Sequence, residues 1–193
     1  MIENIKQTIL INAIELFKEK GFKNVTINEI CKKCRIAKRT FYYHYDSKNT
    51  LLLNYFSLVD SEIDNIVTDL PEDMPWLEKS WELKKIYIEN ITNLSTDILK
   101  NIIKIDLDNQ NKMFSGSLSD FDLKIKSIRE LTIEFTKKGQ ESGEIDDAFS
   151  PKEMSYSFAA AFLGLLVDWS SKDGNYDIIK ESKIIYDMIF RKK

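Results

Sequence analysis

With 193 residues, 43% hydrophobic and 31% charged, the chain has room for one medium domain, or a small domain joined to a larger one. No apolar run approaches the ~18 residues that cross a bilayer, and the N-terminal stretch MIENIKQTIL lacks the charged, apolar and small-residue regions of a signal peptide, so a cytoplasmic protein with no membrane partner is expected. Net charge is −3 but unevenly placed: eight Lys and two Arg against four Glu and one Asp give residues 1–50 a surplus of +5, leaving −8 on residues 51–193. That division points to an anionic partner at the N-terminal end, nucleic acid before others.

Only 3 prolines and 6 glycines punctuate the chain, which favours long helices over many short strands. Ile5, Ile9, Ala13, Leu16 and Phe17 recur at helical spacing and predict a first helix over 3–20, closed by Gly21 and Phe22. Thr26-Ile-Asn-Glu29 reads as a capping box, starting a short second helix at Ile27 that ends near Cys34. A turn over Arg35, Ile36 and Ala37 leads into a third helix through Tyr45, and Ser47 caps a long fourth, apolar at Leu51, Leu52, Tyr55, Phe56 and Val59. Residues 69–75 form a break. Helices are then predicted over 76–93, from Ser95 toward Asp108, and over 121–140, with a loop at 109–120. Ser150-Pro-Lys-Glu153 is a second capping box, opening an apolar helix through Trp169; a loop at 172–175 precedes a last helix ending near Phe190. The fold class is all-α.

Helix, tight turn and short helix, braced by a preceding helix, is the helix-turn-helix layout. Within the third helix Phe41 and Tyr45 share a face, with Ile36 just before them, and these three are assigned to a small core. Lys38 with Tyr42, and Arg39 with Tyr43, form two further i, i+4 rows that face away from it. A helix that reads a DNA groove needs donors and amphipathic rings on such a face. Both cysteines lie in Cys31-Lys-Lys-Cys34; with no second pair and one His in the chain, they read as small packing residues, a thiol switch being the alternative, and no metal site is expected.

These residues resemble the TetR/AcrR (tetracycline-repressor-like) family of bacterial regulators. The resemblance is carried by Thr26, Ile30-Cys31, Cys34-Arg35-Ile36-Ala37, Thr40-Phe41-Tyr42-Tyr43-His44-Tyr45 and Ser47-Lys48, with a weaker echo at Gly139, Gly143-Glu144-Ile145, Gly164 and Trp169. Cys31 and Cys34 stand where the family has alanines, Arg35 where it has the turn glycine, and Ala37 where it has a cap serine. The resemblance implies a helix-turn-helix DNA-binding domain over 1–50 and a larger helical effector-binding and dimerisation domain over 51–193. It further implies DNA contacts from Lys38, Arg39, Thr40, Tyr42, His44 and Lys48, with Thr26 near a phosphate and Tyr43 against a thymine methyl or a sugar.

The expected protein is therefore a ligand-responsive transcriptional repressor, binding a palindromic double-stranded operator as a homodimer. The last two helices are the candidate dimer seam, with Ala160 and Gly164 allowing close approach and Phe162, Leu166 and Trp169 as larger flanking residues, ordinary monomer core being the alternative for this stripe. A small-molecule effector is expected within the middle helices, where Trp76, Trp81, Tyr87, Met113, Phe114 and Phe135 are apolar candidates for its walls. No catalytic cluster or cofactor motif is present to suggest an enzyme. A helical protein–protein adaptor with a non-functional head is the alternative, resting on the departures at Arg35 and Ala37.

Overall fold

The computed structural model describes residues 5–55, 67, 69–108 and 128–191, and among these every regular element is helical. By packing, the chain divides into two compact units, residues 1–58 with 94–111, and residues 59–93 with 112–193.

The first unit begins with α1 (Ile5–Lys20), whose Ile9, Leu10, Ala13, Ile14, Leu16 and Phe17 are buried. A 3-10 turn, Phe22–Asn24, follows Gly21, and α2 (Ile27–Cys34) then starts at the predicted capping box: Thr26 Oγ1 accepts from Glu29 N, while Glu29 accepts from Thr26 N. Such a box satisfies N–H groups that an unpaired helix start leaves bare. α3 (Lys38–His44) and α4 (Lys48–Leu53) complete the predicted layout, α4 capped by Ser47. Phe56 and Val59, expected on its continuation, lie outside the described residues.

A sixth helix belongs to this unit as well. We number Trp76–Thr92 α5 and Thr96–Asp108 α6. α6 packs on α4 and on the 3-10 turn, burying Ile98, Leu99, Ile102 and Ile105. The packing unit is thus larger than the 1–50 head expected from sequence, because the short N-terminal helices share a wall with α6.

The second unit holds α5, α7 (Ile128–Glu141), α8 (Pro151–Ser171) and α9 (Ile178–Ile189). α5 packs most extensively on α7, where Leu83, Leu131 and Phe135 form a cluster flanked by Trp76. At the end of α7 the chain folds back so closely that a Cβ on Gly139 would lie 2.5 Å from Ile145 Cδ1, and the Glu144 and Ile145 N–H groups both donate to the Gly139 carbonyl. The second capping box, Ser150 with Glu153, opens α8 as predicted. The loop expected at 109–120 and the start of the helix expected at 121 lie outside the described residues.

The expected dimer seam needs correction in its details. Phe162, Leu166 and Trp169 are 6%, 0% and 9% exposed, so they are core of their own unit rather than flanks of a seam. The outward stripe of α8 is instead Tyr156, Ala160, Gly164 and Val167, and Ile184 and Met188 are the exposed apolar residues of α9. Of the effector-wall candidates, Trp81 and Phe135 are buried and Trp76 and Tyr87 partly so; Met113 and Phe114 lie outside the described residues.

The turn between α2 and α3 forms with Arg35 in the left-handed region, φ 54° and ψ 41°, its N–H returning to the carbonyls of Cys31 and Lys32. A β-carbon there costs about 1–2 kcal/mol, of which glycine's greater freedom in the unfolded chain takes back part. Arg35→Gly is therefore expected to stabilise the protein by about 1 kcal/mol, measured as a higher urea midpoint at unchanged slope.

Candidate nucleic-acid interface

Which way α3 faces is decided by two rings. Phe41 is 0% and Tyr45 2% exposed, and the Tyr45 hydroxyl donates 2.9 Å to the Lys6 carbonyl of α1. Burial pushes that phenol up to about 12, so it stays a neutral donor across the physiological range. Ile36, the third expected core residue, is only partly buried.

With that face inward, Lys38, Arg39, Tyr42 and Tyr43 are all exposed, Tyr43 at 83%. Thr40 and His44 are half-buried at the edges of the same helix. Tyr42 stands edge-on to Phe41 at 5.6 Å, and Lys38 Nζ lies 6.0 Å from the Tyr42 ring centre. Tyr43 is edge-on to His44 at 5.0 Å. Among the described residues no carboxylate pairs with Lys38 or Arg39. Two cations and two aromatic hydroxyls thus project from two turns of helix on a scaffold fixed from behind.

The other two expected contacts are placed differently. The Thr26 hydroxyl donates to Glu29 Oε2 at 2.9 Å while accepting from Glu29 N, so its proton is already committed within the capping box. Lys20, 2.8 Å from Glu29, together with Thr26 draws the Glu29 carboxyl down to about 2. The capping charge therefore persists through mildly acidic pH and is lost only as pH falls toward 2.

Lys48 points inward. Its ammonium donates to the carbonyls of Phe22 (2.6 Å) and Val25 (2.7 Å) and sits 4.4 Å over the Phe22 ring, and partial burial lowers its pKa. From α6, Asp97 Oδ2 accepts the Phe22 N–H at 3.3 Å. The turn ahead of α2 is thus held by α4 and α6 together. Sequence reading had no local signal for Asp97, 75 residues from its partner.

The two thiols read as packing residues. Cys31 is buried, Cys34 half-buried, and burial raises both thiols above their ordinary value, which lowers the thiolate fraction that redox chemistry needs.

Comparison with known proteins bears directly on this head. A family model described as bacterial regulatory proteins, tetR family, matches residues 9–55, spanning α1 to α4. Over these residues the chain is similar to that family. An uncharacterized HTH-type transcriptional regulator, YerO of Bacillus subtilis, is 39% identical over 74 residues, 36% of this chain and 26% of YerO. The biofilm operon icaADBC HTH-type negative transcriptional regulator IcaR of Staphylococcus aureus is 28% identical over 116 residues, 59% of each chain. The matched lengths are thus under two thirds of either relative. Over nearly the whole chain the fold is that of Thermus thermophilus FadR, a TetR-family repressor solved with lauroyl-CoA: TM-score 0.71, 21% identity, 95% of this chain and 92% of that one. The segment matched by the family model includes the basic, aromatic stretch, and the two rows of α3 lie within it.

The geometry separates the roles of two lysines. Lys48→Met removes both carbonyl bonds while keeping the aliphatic stem against Phe22, and is expected to cost about 1–3 kcal/mol of stability. Lys38→Ala is expected to change stability by less than about 0.5 kcal/mol. Thermal unfolding of the two variants beside the parent protein checks the difference.

Proposed function

We propose that this protein is a sequence-specific DNA-binding transcriptional repressor that acts in the cytoplasm as a homodimer and is released from its operator by a small molecule. The observation that carries the reading is the exposed face of α3, with Lys38, Arg39, Tyr42 and Tyr43 turned out by the burial of Phe41. Lys38 and Arg39 open the helix, where a recognition helix meets base edges, and arginine pairs two-fold with guanine. Tyr42, Thr40 and His44 donate to phosphate oxygens, and Tyr43 meets a sugar or a thymine methyl. Thr26 and Lys48 act by holding the head in shape beside the phosphates. The similarity to IcaR, a negative transcriptional regulator, and to FadR, a repressor, supports the sign of regulation.

One such head reads only a few base pairs, so specific affinity calls for two heads on half-sites of matching symmetry. The apolar stripe of Tyr156, Gly164 and Val167 on α8, with Ile184 and Met188 on α9, supports the last two helices as the seam. A Cβ on Gly164 would meet nothing within 4 Å inside the chain. Gly164→Arg is therefore expected to fold normally and to elute as a monomer in light scattering; a dimer of parental size would remove this assignment.

The adaptor reading rested on a damaged turn at Arg35 and Ala37. Arg35 adopts the left-handed geometry the turn requires, and α3 follows without a side-chain cap at Ala37, so the reading loses its basis. Fluorescence anisotropy against a duplex from upstream of the coding sequence tests the repressor reading. The expected result is tight binding that weakens steeply with salt, exceeds binding to scrambled duplex and is lost in Lys38→Ala/Arg39→Ala. Equal affinity for both duplexes, or an unchanged double variant, would contradict it.

A further inference from the structure

Two lysines are buried in the second unit, and they are treated differently. Lys79, 8% exposed, donates 2.8 Å to the Glu72 carbonyl and lies 4.7 Å over Trp76. Lys84, one turn further along α5 and 5% exposed, has only a long contact of 3.4 Å to the Ser80 hydroxyl. Around its ammonium stand the rings of Phe190, Phe158 and Tyr186, at 4.7, 5.3 and 5.5 Å. Among the described residues no carboxylate pairs with it. On α9, one turn before Tyr186, the Ser182 hydroxyl is fully buried and has no hydrogen-bond partner. The Tyr186 hydroxyl donates to the Leu77 carbonyl at 2.7 Å.

Three rings attract a cation but accept none of its N–H groups in ordinary hydrogen bonds. An unpaired buried ammonium is costly, and an apolar residue of similar volume serves stability better at such a position. An orphan hydroxyl in the same seam of helices adds to the cost. An ammonium with one long hydrogen bond, on the same seam of helices as a hydroxyl with none, is complementary to an acceptor that arrives from outside.

We propose that Lys84 is the recognition residue for a monoanionic carboxylic acid with an apolar body, and that this acid is the effector of the repressor. The proposal rests on the ligand-responsive reading above and names the ligand's chemistry. A cavity of about 480 Å³, lined in part by Leu77, Trp81, Tyr186 and Phe190, adjoins the box. The stacked rings of Tyr186 and Phe190, 4.5 Å apart, are shared by the cavity lining and the box around Lys84. Phe190 is the C-cap residue of α9, in the last turn, where a helix end frays most readily. The proposal requires that ring, 1% exposed in the ligand-free protein, to swing aside on binding so that the cavity reaches the ammonium. Glu78, Glu82 and Asp187 at the cavity, of which Glu82 pairs with Lys85 and Asp187 with Lys183, disfavour ligands carrying several negative charges.

Burial holds the ligand-free ammonium down at about 7. Because that lies below its unfolded value, the unfolded chain binds the extra proton between pH 7 and about 10, and stability of the free protein rises with pH across that interval. Around Lys84, α5 presents Ser80 and α8 presents Phe158. α9 presents Tyr186, held neutral well above the usual phenol range by burial, with Lys183 and Asp187 on the adjoining cavity.

The test is thermal unfolding and tryptophan fluorescence of the full chain with octanoate, 2-naphthoate and the neutral 1-octanol, on the parent and on Lys84→Met. The expected result is a saturable rise in Tm with an acid and little with the alcohol. Lys84→Met should fold, lose the pH-dependent rise in stability, and weaken the half-saturation about tenfold or more. Equal response to octanoate and octanol, no response to either acid, or parental saturation in Lys84→Met would overturn the proposal; should that variant not fold, the acid-against-alcohol comparison decides alone. Operator binding is read in parallel. An acid that raises Tm without changing DNA affinity leaves the Lys84 site standing and sinks the ligand-responsive reading, whereas intact operator binding with no response to acids does the reverse.

Discussion

Burial of Phe41 on the inner face of α3 is the constraint on which the rest of the head depends. α3 has seven residues and no side-chain cap at Ala37, far too little to be helical in isolation. It persists because Phe41, 0% exposed, and Tyr45, tied to the Lys6 carbonyl, leave water together. A fully buried ring of that size contributes roughly 2–3 kcal/mol. The same burial sets the rotation of the helix, because a residue four positions on shares a face and the residues between do not. Lys38, Arg39, Tyr42 and Tyr43 are turned outward as a consequence, so folding and presentation of the face proposed to read DNA follow from one packing event.

The scaffold around that event is held largely by polar groups. Lys48 and Asp97 grip opposite ends of the Phe22 residue, its carbonyl and its N–H, and the Thr26–Glu29–Lys20 network fixes the start of α2 a few residues later. A small unit has little apolar area to spend on rigidity, and directional bonds compensate. Arg35, held at positive φ, lies between α2 and α3, next to the face proposed to contact DNA. Strain at such a position is common where function fixes the backbone.

Much of this was legible in the residues themselves. Both capping boxes announce their helices, because reciprocal bonds between Ser or Thr and a Glu three positions on are local. The phase of α3 was readable for the same reason. What escaped reading depends on distant partners. Lys48 was expected at the DNA because nothing near it in sequence shows the Phe22 and Val25 carbonyls that take its ammonium. The place of α6 in the first unit was equally invisible. On α8, apolar residues occur nearly all round, so periodicity could not tell that Phe162, Leu166 and Trp169 face inward while Val167 faces out. Lys84 gave no signal at all, since a lysine on an amphipathic helix is ordinarily solvated.

The central claim is that one ring face of α3 is spent on the fold and the other is free for DNA. Tyrosine-selective NMR of the protein titrated with the duplex it selects tests this most directly, the ring signals being assigned by single Tyr→Phe variants. The account predicts that Tyr42 and Tyr43 shift on binding while Tyr45 stays in place. Shifts at Tyr45 as large as theirs, or an unmoved Tyr43, would contradict it.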